Sequence, residues 1–548
     1  MRFPDAARAL PRRPAVHTET LVVGCAAYLM LAGNGPFWRA ALAGRSWEQP
    51  GTWALAVALF VSLTAFYVAV TALFSSRRTV RPLLAGILLV TASASYFMER
   101  YAVYMDRPML ANVLATDYKE ARELLGWGMA AHVLLYGALP TALLCWPRLK
   151  VRTFGRALAM RAGWIVAAVA IGLGSLLLVF ADFASMMRSQ PEMRHLITPG
   201  NIVASLSANA WGRAKRPQQP RVVVGADARA ANPERPRPSL FVLVVGETAR
   251  SQNFSLNGYA RETNPELAKR GVISFPDARA CGTSTDVSLP CMFSQFGRAA
   301  YDENRILREE SLLHVLARVG VQVLWRDNQS GCKGVCDGLA FERPGTDVAA
   351  PLCVNGACFD EVLLQGMDRV VRDRQGNVLV VMHPLGSHGP AYYKRYPPAF
   401  RRFTPVCETD DLRRCEPAAI VNAYDNSLLY ADHFLGRLID FLEQAQETHD
   451  TAMLYVSDHG ESLGEGGLYL HGMPYAIAPD VQTRVPFVLW MSQAFRGALG
   501  VDEACLRNQA RQQPASHDQL FHSLLGVFGV QTRVYDARLD LFALCRRH

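Results

Sequence analysis

No compact basic motif occurs anywhere in the 548 residues, although the formal net charge is +9. The arginines are scattered or flank apolar runs. This argues against nucleic acid as the partner and for a membrane surface or an acidic lipid. No internal repeat is evident, so a repeat architecture is not expected. No small-residue cleavage site cleanly follows the first apolar run, and four more runs come after it, which argues against a removable signal peptide. The CKGVC segment has neither a second close CxxC nor a companion histidine to complete a site, so disulfides are favoured over a zinc cluster there. Cysteine is scarce early in the chain: of twelve, only Cys25 and Cys145 precede Ala184.

What is present divides the chain. Five apolar runs, at about residues 17–35, 52–74, 81–98, 127–147 and 162–183, are long enough to cross a bilayer, the first being the weakest. Arg2, Arg8, Arg12 and Arg13 precede the first run. Arg77, Arg78 and Arg81 join the second to the third, and Arg148, Lys150, Arg152, Arg156 and Arg161 join the fourth to the fifth. By the positive-inside rule these basic stretches are cytoplasmic, and an odd number of spans exports everything after Ala184. The ten remaining cysteines are an even number in an oxidising compartment. Spacing pairs Cys281 with Cys291, Cys332 with Cys336, Cys353 with Cys358 and Cys407 with Cys415, leaving Cys505 and Cys545 to pair by default.

Residues 1–184 therefore read as a transmembrane domain of five helices, and 185–238 as an interfacial helix and an Arg/Pro-rich linker. Residues 239–548 read as an exported α/β domain. Within it SLFVLVVGET, GVQVLWRDN, NVLVVMHPLGSHG, TAMLYVSDHGE and RVPFVLW are strand-length apolar runs separated by helix-like segments. Near-continuous apolar strands alternating with helices predict a mostly parallel central sheet covered on both faces. In such sheets functional groups gather at the carboxyl ends of strands, where Glu247, Asp327, His383 and Asp458 stand.

Glu247 and the pair Asp458 and His459 suit a divalent cation of the zinc or manganese type, while GET and SDHGE also suit capping turns. Thr285, in ACGTSTDVSLPCMFS, precedes an apolar helix-like segment. Its hydroxyl stands either where helix amides attract a phosphate or as part of a plain cap with Thr283 and Ser284.

VVGETAR, CGTSTDVSLPCMFS, WRDNQSGCKGVCD, HPLGSHGPAYYKRYP and SDHGESLGEGGLYLHGMPY together resemble the phosphoethanolamine transferases of lipid A, which include the polymyxin-resistance enzymes. The resemblance covers nearly the whole chain and implies an alkaline-phosphatase-like domain, of the kind sulfatases also have. It implies that Thr285 is the nucleophile that takes phosphoethanolamine from phosphatidylethanolamine, with Zn2+ held by Glu247, Thr285, Asp458 and His459. It places Lys333, His383, His388 and His471 near the transferred phosphate or a second metal. Asn112, Thr116 and Glu120 fall at donor-lipid positions. Their spacing of four also fits the polar face of an interfacial helix, and Lys333 read by itself is a solvated charge.

The implied protein is a monomeric, multi-pass enzyme of the inner membrane with its catalytic domain in the periplasm. Its implied acceptor is lipid A. Alternatives are the lipopolysaccharide core or Kdo, another envelope glycan, a phosphodiesterase or sulfatase-like hydrolase, and a non-catalytic lipid sensor. The sequence departs from the family pattern at Asp286, where a small apolar residue is expected, and at Gln329, where asparagine is expected.

Overall fold

The structure, a computed structural model, describes residues 13–115, 121, 124–189, 191–214, 221–230, 237–345, 352–354 and 357–547. Two compact units are found, one comprising residues up to 110 and 125–211, the other 111–124 and 212 onward.

The first unit is helical. Helices α1 (Thr18–Ala32) and α2 (Gly35–Ala41) are followed by α3 (Pro50–Phe74) and α4 (Val80–Tyr101), then α5 (Arg107–Ala115), whose last residues fall in the second unit. Helices α6 (Trp127–Cys145) and α7 (Phe154–Leu178) come next, and α8 (Gly200–Ala214) closes the series on the stretch expected to form an interfacial helix.

Four helices, α3, α4, α6 and α7, are each long and apolar enough to span a bilayer. The first expected span is not one straight helix. It breaks after Ala32 and bends by 61° into α2, so a fifth crossing exists only if this pair is counted as one. The break falls in a Gly-Asn-Gly-Pro sequence, where glycine weakens the helix and Pro36 has no amide to continue it. The last span begins earlier than expected, at Phe154, and so carries Arg156 and Arg161 in its first turns, where long side chains reach the headgroup level. Helix α6 passes through a π turn at Leu134–Ala138, which accommodates the missing amide of Pro140.

Two of the three stretches expected on the cytoplasmic side meet. Ala15–Val16 pairs with Arg148–Leu149 in a short parallel ladder, and Arg152 meets Glu19 at 2.9 Å.

The second unit is built on an eight-stranded sheet. In chain order its strands are β1 (Ser239–Gly246), β2 (Ile273–Arg279), β3 (Gln322–Asp327) and β4 (Ala340–Glu342), then β5 (Val378–His383), β6 (Asp450–Ser457), β7 (Arg484–Met491) and β8 (Ala515–Ser516). The spatial order is β8-β2-β7-β6-β1-β5-β3-β4. All pairings are parallel except those of β7 with its two neighbours.

β1 lies at the centre and every one of its residues is buried. Phe241, Leu243 and Val245 join the core on one face, and Leu240, Val242 and Val244 join the core on the other, as the two-residue period of a strand requires. This is why the run is continuously apolar rather than alternating. The second face is covered by the long helix α10 (Pro417–Gln444), which contributes Leu428, Phe434, Leu435, Leu438, Ile439 and Leu442. Five disulfides join the ten cysteines of this unit in the expected pairs, including Cys505 with Cys545.

Truncating a central core side chain removes transfer free energy and leaves a cavity, so Leu243→Ala should lower unfolding stability by about 2–5 kcal/mol. Leu544→Ala, at a residue 73% exposed, should change it by no more than about 0.5 kcal/mol. Thermal or denaturant unfolding of the purified protein checks the contrast.

Candidate active site

The register of the sheet assembles the site. Ser457 of β6 pairs with Gly246 of β1, so the next residue on each strand, Asp458 and Glu247, leaves the sheet at the same level. His383 of β5 pairs with Asp327 of β3 at that same edge. Glu247 enters a sharp turn in which Thr248 takes a left-handed φ of 52°, a costly conformation for a β-branched residue. The turn is held by Tyr424, whose hydroxyl donates to Thr248 O at 2.7 Å, and by Thr248 N, which donates to Asp458 Oδ1 at 3.3 Å. Gly386, at φ 55°, lets the loop after β5 press onto Glu247: a Cβ there would lie 2.7 Å from Glu247 O.

Carboxylate and imidazole donors of Glu247, Asp458 and His459 all lie within 4.8 Å of one another, and all three residues are buried. His459 Nδ1 lies 2.9 Å from Gly460 O. A carbonyl only accepts, so Nδ1 carries the proton and Nε2 presents its lone pair to the cluster, 3.3 Å from Asp458 Oδ2 and 3.5 Å from Glu247 Oε1. Burial pushes the His459 imidazole down to about 4, so near neutral pH it is an uncharged ligand rather than half of an ion pair. Asp458 Oδ2 and His383 Nε2 are buried and make no hydrogen bond with any described residue. Buried polar atoms left in that condition, beside two carboxyl groups and a neutral imidazole, fit a divalent cation of the zinc type.

Thr285 is the first residue of α9 (Thr285–Met292), with Ser284 at the N-cap position in extended geometry. Its hydroxyl reaches the cluster, donating to Glu247 Oε2 at 3.2 Å and lying 3.4 Å from His459 Nε2. The Cys281–Cys291 disulfide brackets the turn and most of the helix.

The other expected residues divide as follows. His383 lies with Nε2 3.9 Å from Glu247 Oε2, and its Nδ1 faces Asp327 Oδ1 at 2.9 Å. Burial works against ionisation of Asp327, but hydrogen bonds from His383, Trp325 and Gly331 outweigh it and hold the carboxyl below its ordinary value. The ring of His471 lies 4.3 Å from that of His459, and the ring of His388 lies 5.5 Å from that of His471. Burial holds the His388 imidazole well below its usual range. Lys333 is not a free solvated charge: its Nζ lies 3.2 Å from Asp286 Oδ1. Gln329 donates to Glu247 Oε2 at 2.9 Å. Asn112 lies in α5, whereas Thr116 and Glu120 fall outside the described residues.

Sequence reasoning missed two residues. Glu461 is fully buried; it accepts from Tyr392 at 3.0 Å and faces His471 Nδ1 at 3.0 Å. Its only signal was its place in SDHGES, three residues after Asp458. His517, 236 residues from Cys281, joins the turn that carries Thr285 to a strand end. Cys281 N donates to its Nδ1 at 3.1 Å and its Nε2 donates to Ser457 O at 2.9 Å. A lone histidine in ASHDQLF gives no sign of that.

A parallel sheet with acid, imidazole and hydroxyl groups gathered at its carboxyl edge defines a catalytic unit of the sulfatase class, and residues 239–530 match the sulfatase family. Residues 63–211 match the family described as phosphoethanolamine transferase EptA/EptB. The chain is 43% identical to phosphoethanolamine transferase EptA of Escherichia coli K12 over 85% of this chain and 86% of that one. It is 38% identical to phosphatidylethanolamine transferase Mcr-1 of Escherichia coli over 87% and 88%. The solved structure of the integral membrane lipooligosaccharide phosphoethanolamine transferase A of Neisseria meningitidis superposes with a TM-score of 0.93 at 35% identity, covering 98% of this chain and all of that one. The chain belongs to the phosphoethanolamine transferase family, with a sulfatase-family catalytic domain.

Asp458→Asn keeps the side-chain shape and removes one anionic donor. Divalent metal bound per chain, measured by elemental mass spectrometry on the purified protein, should fall roughly tenfold or more relative to wild type.

Proposed function

We propose that the chain moves phosphoethanolamine from phosphatidylethanolamine to lipid A through a covalent phosphothreonine at Thr285. The observation that carries this reading is the convergence of the Thr285 hydroxyl with Glu247, Asp458 and His459 at the carboxyl edge of the sheet. Zn2+ held by those residues would supply Lewis acidity and charge neutralisation at the reacting phosphate.

The chain's own groups carry the rest. Glu247 Oε2 accepts the Thr285 proton and orients the oxygen for in-line attack on phosphorus. An oxygen–phosphorus bond forms at Thr285 as the bond to diacylglycerol breaks. We assign protonation of the leaving oxygen to His471, oriented by Glu461 through Nδ1. In the second half an oxygen of lipid A attacks the same phosphorus and frees Thr285. The amides at the start of α9 and the ammonium of Lys333 favour the phosphate throughout. His383, beside Glu247, and His388, beside His471, are assigned to positioning the phosphate.

Both substrates are lipids. Anchoring the catalytic domain (residues 239–548) to a membrane domain (1–184) through the segment 185–238 keeps it where both are concentrated. Basic stretches on one side of the spans and five disulfides in the exported unit support an inner-membrane protein with a periplasmic catalytic domain. Asn112, Thr116 and Glu120 are assigned to the donor lipid. Converting an anionic lipid A phosphate to a zwitterion lowers attraction for cationic peptides, which is the basis for polymyxin resistance.

Mass spectrometry of lipid A from cells with and without the protein should show added phosphoethanolamine only when the protein is present. Thr285→Ala should lower transfer by roughly three or more orders of magnitude. Full activity in that variant defeats the covalent route. A modified core sugar in place of lipid A changes the acceptor, and release of free phosphoethanolamine without an adduct makes the enzyme a hydrolase.

A further inference from the structure

Asp286, where a small apolar side chain was expected, has no part in the reaction as described. It is the second residue of α9, adjacent to Thr285. Its Oδ1 lies 3.2 Å from Lys333 Nζ, while its Oδ2 is buried and accepts no hydrogen bond from any described residue. A carboxylate oxygen buried without a donor is unfavourable by about 1–3 kcal/mol. The acid does not cap its own helix, since neither oxygen accepts a backbone amide of α9. Lys333 presents its ammonium from a constrained position, at φ 47° inside the loop closed by Cys332 and Cys336.

We propose that Asp286 and Lys333 form one recognition site for the zwitterionic phosphoethanolamine group, Lys333 Nζ taking a phosphate oxygen and Asp286 Oδ2 accepting from the primary ammonium. This rests on the transferase reading above and specifies its donor headgroup. Ethanolamine carries its ammonium two carbons from the ester oxygen, so its opposite charges lie close together, as do those of Lys333 and Asp286. Laid antiparallel, the two pairs put every charge opposite its complement. Lysine alone attracts the phosphate and offers nothing to the ammonium. A carboxylate beside it disfavours headgroups that bring no cation, and selectivity comes from that repulsive element as much as from the attractive one. A primary ammonium also donates charge-assisted hydrogen bonds that a quaternary one lacks. In this chain Asp286 thus adds to the donor preference through its charge rather than its shape.

The test uses the full-length enzyme in mixed micelles with lipid A and one of three donors of matched acyl chains: phosphatidylethanolamine, phosphatidylglycerol or phosphatidylcholine. Diacylglycerol release is followed for each. Wild type should prefer phosphatidylethanolamine over both others. Asp286→Asn should lose roughly 10- to 100-fold in kcat/KM on that donor and far less on phosphatidylglycerol, so that the preference collapses. Asp286→Glu, which keeps the charge, should restore much of it. On wild type alone, soluble O-phosphoethanolamine should inhibit more strongly than glycerol 3-phosphate. An unchanged donor ratio in Asp286→Asn, or equal inhibition by the two soluble esters, overturns the site while leaving the transferase reading intact. No release from any donor by wild type overturns both.

Discussion

The site depends first on the in-register parallel pairing of β1 with β6. Ser239 through Gly246 match Asp450 through Ser457 without a bulge, so Glu247 and Asp458 leave adjacent strands at one level. Side chains alternate along a strand, and a slip of one residue would reverse which face each apolar residue serves. Both faces of β1 are filled, by Phe241, Leu243 and Val245 on one side and Leu240, Val242 and Val244 on the other. The packing that stabilises the sheet therefore also fixes the separation of two acidic residues at its edge. No interaction between the acids themselves is needed to bring them together, and their mutual repulsion is overcome by the core behind them.

That arrangement has an energetic consequence. Two carboxyl groups and an imidazole held within 4.8 Å, all out of contact with water, are unfavourable unless a positive charge joins them. The surrounding structure relieves part of the cost. Gln329 donates to Glu247, the backbone amides of Thr248 and His459 donate to Asp458 Oδ1, and Gly460 fixes the His459 tautomer. Asp458 Oδ2 and His383 Nε2 are left without a hydrogen-bond partner among the described residues. Strain is stored there too, in the left-handed Thr248. Buried atoms without donors beside two acids and a strained turn are what a site that binds a cation presents.

What could be read from the sequence follows the range of the interactions. Strands such as FVLVVG and AMLYVS were legible because burial on both faces writes itself as an unbroken apolar run, and Glu247, Asp327, His383 and Asp458 were legible because each ends such a run. The cysteine pairs at short spacing were legible for the same local reason. The bend after Ala32 was not, because hydropathy alone does not separate a straight span from two helices at an angle. His517 and Glu461 were illegible: each acts through a partner that only the folded sheet supplies, Ser457 and Cys281 for one, Tyr392 and His471 for the other. Asp286 was visible as a departure but not as half of an ion pair, since Lys333 lies 47 residues further along the chain.

The disulfides connect location to chemistry. Cys281–Cys291 closes the turn that carries Thr285 and Asp286, and Cys332–Cys336 closes the turn that carries Lys333. Neither turn is held by sheet pairing, so each depends on its cross-link together with hydrogen bonds such as Cys281 N to His517 Nδ1 and Ser311 Oγ to Val335 O, and ordering a backbone residue costs roughly 1–2 kcal/mol. Catalysis by preorganised charge requires that this cost be met before substrate arrives, because donors that must still move into place contribute little to the transition state. In a reducing compartment the strands would still pair and the donors at their ends would still converge, for those depend on the core. The turns that carry Thr285, Asp286 and Lys333 would lose one of their constraints. The two cross-links therefore stiffen the site as well as the fold, and both form only where cysteines oxidise.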